Sequence, residues 1–489
     1  MRVRRARRGM AIVSVVAIVG AAFLIRRRAN DAAPPTNATP APAVASLKVS
    51  ISYDEARPIL DTHRASLPAE LNAKTPIELE SFWPAWVSRH NTEIRSRLER
   101  GDEDSIVNLW LYGTTFTTLP RATDRDLAML HDRARSEDLL LRRLDDLVAG
   151  LAAPGGNERL RFARQVVERH GIDPTTPAGG NQARAYLVEA RERTIAENQG
   201  YRRTALSASQ LPDQRATLAA FATLFRDRGL SSDTSISADF ALDQALGALT
   251  SQGKLGAGSV RRVAIVGPGL DFTDKAEGYD FYPQQTIQPF AVIDSLIRLN
   301  LSKRDELRMT TFDLSPRVNQ HLEAARQRAR GGDPYVLQLP LSRDDPSHQW
   351  NPDLVRYWRR WGDSIGDEVP AIAAPAGTAV QVRAVRVAPS IVMSIIPRDV
   401  NIVLERMAPL AADERFDLIV ATNILVYYDA FDQSLALANV SSMLRPGGFF
   451  LTNYAVVPAA PMESSAGLMT TVAFDRQHNG DTLFSYQRH

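Results

Sequence analysis

Val263, Ala264, Ile265 and Val266 form an apolar run that stops dead at Gly267-Pro268-Gly269. A short run without polar alternation is the mark of a parallel strand buried on both faces. Helices must then cover both faces, which places this part of the chain in the α/β class. A Gly-rich turn directly after such a strand lets a ligand approach the backbone where a side chain would collide. On these residues alone, a tight turn without a ligand reads the same.

The elements that follow fit an open α/β sheet. Gln288-Pro289 opens a helix through about Leu299, and Leu307 to Leu314 (LRMTTFDL) is a second strand that ends at Asp313. An acidic residue there can accept hydrogen bonds from both hydroxyls of a ribose; before Ser315-Pro316 it also suits a helix cap. Phe416 to Asp429 (FDLIVATNILVYYD) carries a buried strand, with Thr422-Asn423 at its carboxyl end, where open sheets place ligands. A helix leads to Leu444-Arg445-Pro446-Gly447-Gly448, and Phe449 to Ala455 is the next strand. Met469–Phe474 and Thr482–Gln487 read as a hairpin around Asn479-Gly480.

Before this region the pattern is helical from about 51 to 254. Thr75-Pro76-Ile77-Glu78 is a capping box, with Ile77, Phe82 and Trp86 following as apolar positions. Asp124 to Leu151 is a long periodic segment, and further helices are expected near 157–170, 182–199, 213–228 and 238–250. Nothing in this all-α domain carries chemistry; an interaction or cap domain with a protein partner is the expectation, its charges lying on solvated faces.

Met10 to Ile25 is sixteen residues without a charge, between Arg clusters. A transmembrane helix takes roughly 17–25 residues, so this is a short anchor that relies on snorkelling Arg. The expectation is a single uncleaved membrane anchor within 1–28; export after signal cleavage is the alternative. The Arg distribution weakly favours an exported body. Residues 29–50 are an Ala/Pro-rich linker.

The net charge is +2, and the eight Arg of the first 28 residues leave −6 for the rest, which argues against a nucleic-acid partner. There is no cysteine, and the eight His show no helical ligand spacing, so no metal site is expected.

Taken in order, the strand into GxG, the acidic end of strand two, FDLIVATN and LRPGG resemble the class I S-adenosylmethionine-dependent methyltransferases over about 255–489. The resemblance implies a Rossmann-like methyltransferase sheet with a terminal antiparallel hairpin, with insertions here at 271–286 and 331–378. A nicotinamide-binding domain would carry a third glycine and an acidic residue about 20 positions on; Asp313 lies farther away. FDLIVATNILVYYD is also similar to the corresponding stretch of chemotaxis-receptor glutamate methyltransferases, with Asn423 bordering the cofactor and Tyr427 near the substrate. That family has an Arg where this chain has Thr422, which tells against a protein carboxylate as acceptor.

The resemblance implies S-adenosylmethionine as cofactor. Gly267 and Gly269 would let its methionine part and ribose pass close to the backbone. Asp271 would face its ammonium or cap a turn, and Asp313 would hold the ribose. Asp399 or Asn401, in the loop after the β-rich run 381–396, would accept from the adenine amine. Tyr427, Tyr428, Asp429 and His321 are candidates for a base by residue type alone. The aromatic residues Tyr279, Phe281, Tyr282, Trp350, Tyr357, Trp358 and Trp361 of the insertions either line a substrate pocket or pack the insertions onto the sheet. Methyl transfer to an unidentified acceptor is the expected function; a catalytically inactive scaffold tethered to the membrane is the competing one.

Overall fold

The computed structural model describes residues 48–64, 66–122, 133–208, 229–230, 236–273, 280–344, 348–376, 378–407, 410–456, 462–477 and 479–489. The expected membrane segment, nearly all of the linker, the helix expected at 213–228 and Tyr279 lie outside them. Among the described residues no helix is long and apolar enough to cross a membrane.

The chain enters through β1 (Lys48–Ser50), so the last residues assigned to the linker form a strand. Ser52 caps α1 (Tyr53–Thr62), and Thr75 caps α3 (Pro76–Tyr112) after the single turn α2 (Ala69–Asn72). Both caps are complete capping boxes: the hydroxyl accepts from the backbone N–H of Glu55 or Glu78, and each glutamate reaches back to the cap N–H. A cap of this kind contributes about 1 kcal/mol.

At 37 residues α3 is long enough to serve two cores. Its first half buries Leu79, Trp83, Trp86 and Val87, spaced i, i+4, i+7 and i+8 along one stripe. Ile77 falls opposite that stripe and is 82% exposed. The second half packs Ile106, Leu109 and Trp110 against α4 (Arg133–Ala152), α5 (Glu158–Arg169) and α6 (Pro177–Ala208), through Leu144, Val166 and Leu187. α7 (Ile236–Ser251) leaves this helical body and joins the sheet core with Phe240, Leu242 and Leu246. The region expected as one all-α domain is therefore three pieces. Two cover the sheet and one stands as a helical body. Periodicity reports that a stripe is buried and is silent about its partner.

The C-terminal half runs β2 (Arg262–Val266), α8 (Gln288–Arg298), β3 (Arg308–Phe312), α9 (Pro316–Arg330), β4 (Tyr335–Ser342), α10 (Pro352–Arg360), β5 (Gly366–Val369), β6 (Val380–Val387), α11 (Pro389–Ser394), β7 (Ile395–Arg398), β8 (Glu405–Met407), β9 (Phe416–Ala421), α12 (Ala430–Met443), β10 (Leu444–Thr452), β11 (Met462–Ala473) and β12 (Gly480–Arg488). The main sheet has seven strands in the order β11-β12-β10-β9-β2-β3-β7. The run from β10 to β7 is parallel, and β12 inserts antiparallel between β10 and β11. β2 starts the sheet in its middle, with β3 on one side and β9 on the other. The order therefore reverses there, and the carboxyl ends of β2 and β9 form the switch-point crevice where such sheets bind ligands.

The second insertion is a three-stranded antiparallel sheet, β4-β6-β5, with α10 beside it. Tyr357, Trp358 and Trp361 are buried in the core shared with α7 and α8. Phe281 and Tyr282 pack on Val380. These aromatics attach the insertions; packing is the reading the structure supports for them.

β1 pairs with β8, and α1 lies on α12. His90 of α3 bonds Asp432 of α12 at 2.8 Å and Glu93 at 3.2 Å, stacked on Trp86. Burial lowers the pKa of His90, but Asp432 and Glu93 more than offset it, leaving a net rise. A raised histidine stabilises the fold below its unfolded pKa near 6.5, and this is lost as pH climbs through the folded value. The melting temperature of wild type relative to His90→Gln is therefore expected to fall between pH 6 and pH 9, by the equivalent of about 1 kcal/mol or less. Parallel pH profiles for the two proteins would refute this.

Candidate functional site

The Gly turn after β2 takes the shape its sequence implies. Gly267 and Gly269 sit at φ +66° and +67°, left-handed values that a side chain opposes. A Cβ on Gly267 would meet Ile424 Cδ1 at 2.1 Å, so the space a side chain would fill is taken by Ile424 from the loop after β9. Gly267→Ala is expected to destabilise by about 1–3 kcal/mol through its backbone conformation alone. Adding Ile424→Ala would relieve the contact and leave that strain. Full recovery of the melting temperature in the double variant would contradict this partition.

Asp313 follows β3 and reaches this turn. Its carboxyl accepts from the Ser315 N–H at 2.8 Å, at the start of α9, and the Gly269 N–H is near enough to favour its charged form. Asp313 thus braces the residue that begins α9, Ser315, and lies beside the Gly turn. Burial pushes its pKa up to about 7, against the lowering effect of the two N–H groups and Arg317. A carboxylate offers about four acceptor positions, and two N–H donors leave capacity for a diol.

Asp271 turns away from the crevice. Its carboxyl accepts from Gln285 Nε2 at 2.8 Å and from the Tyr282 hydroxyl at 3.3 Å, and its N–H donates to the Gln285 carbonyl. The loop that the resemblance would place on the adenine side follows β7, which pairs with β3. Its side chains face α3. Asp399 pairs with Arg95 at 2.8 Å and Lys48 at 3.7 Å. Asn401 is fully buried, donating to Asn91 Oδ1 and accepting from the Val403 N–H.

At the end of β9, Asn423 sits at φ +58°. Its N–H donates to Asn453 Oδ1 and its Oδ1 accepts from Asn453 Nδ2, both at 2.7 Å. Asn453 Nδ2 also donates to Asp481 Oδ2 at 2.9 Å, so β9, β10 and β12 share one polar cluster. The Tyr427 carbonyl accepts from Arg97 Nη2 at 2.8 Å, and Arg97 lies 5.6 Å over the Tyr428 ring. Tyr428 is buried, which raises its hydroxyl pKa, and Asp429 caps α12. His321 bonds the Tyr335 hydroxyl at 2.9 Å, with its pKa pulled down to about 4 by burial, then by Arg328 and Arg317. Tyr428, Asp429 and His321 thus hold structure together, and Tyr427 packs half-buried against the core that includes Tyr428 and Phe431.

Sequence reasoning missed the residues that close the site. The helical body reaches over the Gly turn. Arg159 of α5 is wholly buried and donates to the Phe272 carbonyl at 2.7 Å and, more weakly, to that of Asp271 at 3.3 Å. Asp280 accepts from the N–H groups and hydroxyls of Thr114 and Thr115. Arg317, on the first turn of α9, lies 3.9 Å over the Phe162 ring and 5.1 Å from Phe272. Arg159 lies on a helix of the region whose charges read as solvated faces, and no local signal marks Arg159, Asp280 or Arg317 otherwise.

The reversed strand order, the Gly turn at the switch point, the acidic residue after β3 and the antiparallel β12 together give the C-terminal half a Rossmann-like α/β sheet of the kind the resemblance implies. No protein-family model matches the chain, and no curated protein matches it either. Among solved structures it is similar to the N-methyltransferase NodS from Bradyrhizobium japonicum WM9, at 14% identity over 51% of this chain and 96% of that one, with a TM-score of 0.24. The glycopeptide N-methyltransferase MtfA, complexed with S-adenosylmethionine, gives 13%, 51%, 77% and 0.20. The CcbJ methyltransferase from Streptomyces caelestis gives 11%, 52%, 78% and 0.21.

Proposed function

We propose that this chain transfers a methyl group from S-adenosylmethionine to an acceptor held at the carboxyl ends of β9 and β10. The observation that carries the reading is Asp313, a half-buried carboxyl directly after β3 that accepts from the Ser315 N–H at 2.8 Å and keeps acceptor capacity for a ribose diol. The left-handed conformation of Gly269 fits a ligand that passes close to the backbone, while Ile424 fills the space beside Gly267. When bound, the cofactor's sulfonium supplies an activated methyl group. The protein's task is then to position and to exclude water. Asp313 would hold the ribose, and Gly269 the turn beneath it. Asn423, fixed by Asn453, would border the reacting end, with Tyr427 next to it. The helical body, through Arg159 and Asp280, would close the site from above.

Residues 10–25 would anchor the chain in a membrane, with the body on the side that supplies S-adenosylmethionine. Release of the chain from membranes by alkaline carbonate would overturn the anchor.

The test of the cofactor site is calorimetric titration of the full chain with S-adenosylmethionine, beside Asp313→Ala. Micromolar binding that falls at least 100-fold in the variant is the expected result. A folded wild-type chain that does not bind would overturn the reading and return the molecule to the scaffold alternative.

A further inference from the structure

The crevice occupies one end of the main sheet, and the other end carries a charge pattern. β2, β3, β7, β9 and β10 run parallel and β12 runs against them. The amino ends of the first five and the carboxyl end of β12 therefore share one edge. Arginine marks that edge strand by strand. Arg262 opens β2, Arg308 opens β3, Arg415 precedes β9, Arg445 is the second residue of β10, and Arg488 ends β12. At β7 the corresponding place is taken by Met393, 40% exposed and two residues before the strand. Over the segments 254–262, 303–308 and 413–417, with residues 445 and 488, Lys and Arg number nine and Asp and Glu five, a net charge of +4. The chain beyond residue 28 carries −6, so this edge is a basic face on an acidic body.

The cations at this edge are set against one another. Arg262 is the register partner of Arg308, which puts like charges side by side on neighbouring strands. Arg308 spends its Nη1 on the Asp305 and Leu307 carbonyls, which do not neutralise it. Arg488 likewise donates to the Leu444 carbonyl, and Arg415 lies near enough to lower its pKa, second only to burial. Two of the five acids are already engaged within the edge. Asp417 holds Arg445 and the N–H groups of Arg261 and Arg262, and Glu306 holds Lys303 and Arg261. Like charges held in a row repel, and an anionic surface laid across them converts that repulsion into attraction.

We propose that this edge rests on an anionic membrane surface, with its arginines at the lipid phosphates and Met393 between the headgroups, so that the crevice opens away from the bilayer. The proposal rests on the reading of residues 10–25 as a membrane anchor. The described chain starts at Lys48, paired with Met407, and Met407 lies nine residues before β9 begins at this same edge. Residues 29–47 reach at most about 60 Å at about 3.1 Å per residue, which lets the body settle on the bilayer that holds the anchor. β2, five residues long, spans about 17 Å between this edge and the Gly turn. Whatever binds in the crevice then arrives from water and not from within the same bilayer.

The chain has no cysteine, so single labels can be placed on it. Ala257→Cys puts one in the exposed turn that leads into β2, and Ala153→Cys puts one on the helical body. The full chain with either label is reconstituted into vesicles of phosphatidylcholine, or of phosphatidylcholine with phosphatidylserine, and quenching by a spin-labelled headgroup is read. With phosphatidylserine at low salt, the label at 257 is expected to be quenched and the label at 153 not. Lys254→Glu, Arg261→Glu and Arg308→Glu together take the edge from +4 to −2. At about fivefold per cation near such a surface, they should lower the quenched population by about 100-fold or more. Salt tests the unmutated chain in the same way, since going from about 0.1 M to about 1 M shortens the screening length from about 10 Å to about 3 Å.

Quenching at 257 that is equal in the two lipids, or that ignores salt, would overturn the proposal. Displacement of the contact by a DNA oligonucleotide at equal phosphate concentration would also overturn it, and would assign the edge to nucleic acid. A chain that does not stay with phosphatidylcholine vesicles removes the anchor and leaves the edge to be read by itself. The same labels are then followed on phosphatidylserine vesicles, where salt-sensitive quenching at 257 alone supports the contact and its absence refutes it.

Discussion

Replacing Arg159 with Met is expected to cost about 3–5 kcal/mol, the range for removing one partner of a buried charge arrangement. The side chain is wholly buried, so no water replaces its donors. Two carbonyls lose their hydrogen bonds, those of Phe272 and Asp271. Asp280 loses more. Burial already raises its pKa, and Arg159 is among the groups that hold it down, with the hydroxyls of Thr114 and Thr115. Without the guanidinium, the Asp280 carboxylate stays buried with the neutral donors of Thr114 and Thr115 and the field of Arg143. The loss should appear in the transition that releases the helical body from the Gly turn, read by calorimetry or hydrogen exchange at 271–273. Asp280→Asn should cost less, because it keeps the shape and removes the charge. Combining it with Arg159→Met should cost less than the sum of the two. Additive effects would show that Arg159 and Asp280 act separately.

This clamp marks where reading the sequence stops. Val263 to Gly269 was legible because the buried strand and its turn are both local patterns, and the structure places them as β2 and a left-handed turn. Asp313 was legible for the same reason. It follows a strand, and topology then delivers it to Gly269. Arg159 and Asp280 are far apart in the sequence, and nothing near either announces the other. The loop after β7 is an intermediate case. Its location followed from strand order, but the directions of Asp399 and Asn401 depend on α3 crossing above them, with Arg95 and Asn91 on the facing side. The helical region shows the same limit. Trp83 and Trp110 lie on one helix and look alike in sequence, yet one packs against the sheet side and the other within the helical body.

Cofactor affinity is expected to depend on pH through Asp313, and the sign follows from its chemistry. A ribose diol donates two O–H groups, so it binds the ionised carboxylate better than the carboxylic acid, which must spend one oxygen as a donor. Burial has pushed the pKa of Asp313 up to about 7, so the free protein is mostly protonated below that pH and mostly ionised above it. Binding must therefore release a proton below about pH 7, and affinity for S-adenosylmethionine should rise up to about tenfold per pH unit there and level off above it. Fold stability runs the other way. The native state holds this proton between the unfolded value near 3.8 and the folded value near 7, so the contribution of Asp313 is fully present below the first and is lost as pH climbs to the second. The residue thus weakens the fold in the pH range where it binds best, a conflict expected of a ligand site and not of a simple helix cap. Asp313→Asn should remove both slopes together, weaken binding at pH 8, and raise the melting temperature there. Titrations at pH 6, 7 and 8 in buffers of different ionisation enthalpy would count the proton. A wild-type affinity that is flat across that range, or an Asp313→Asn chain that keeps the slope, would assign the dependence to another group and take Asp313 out of the ribose site.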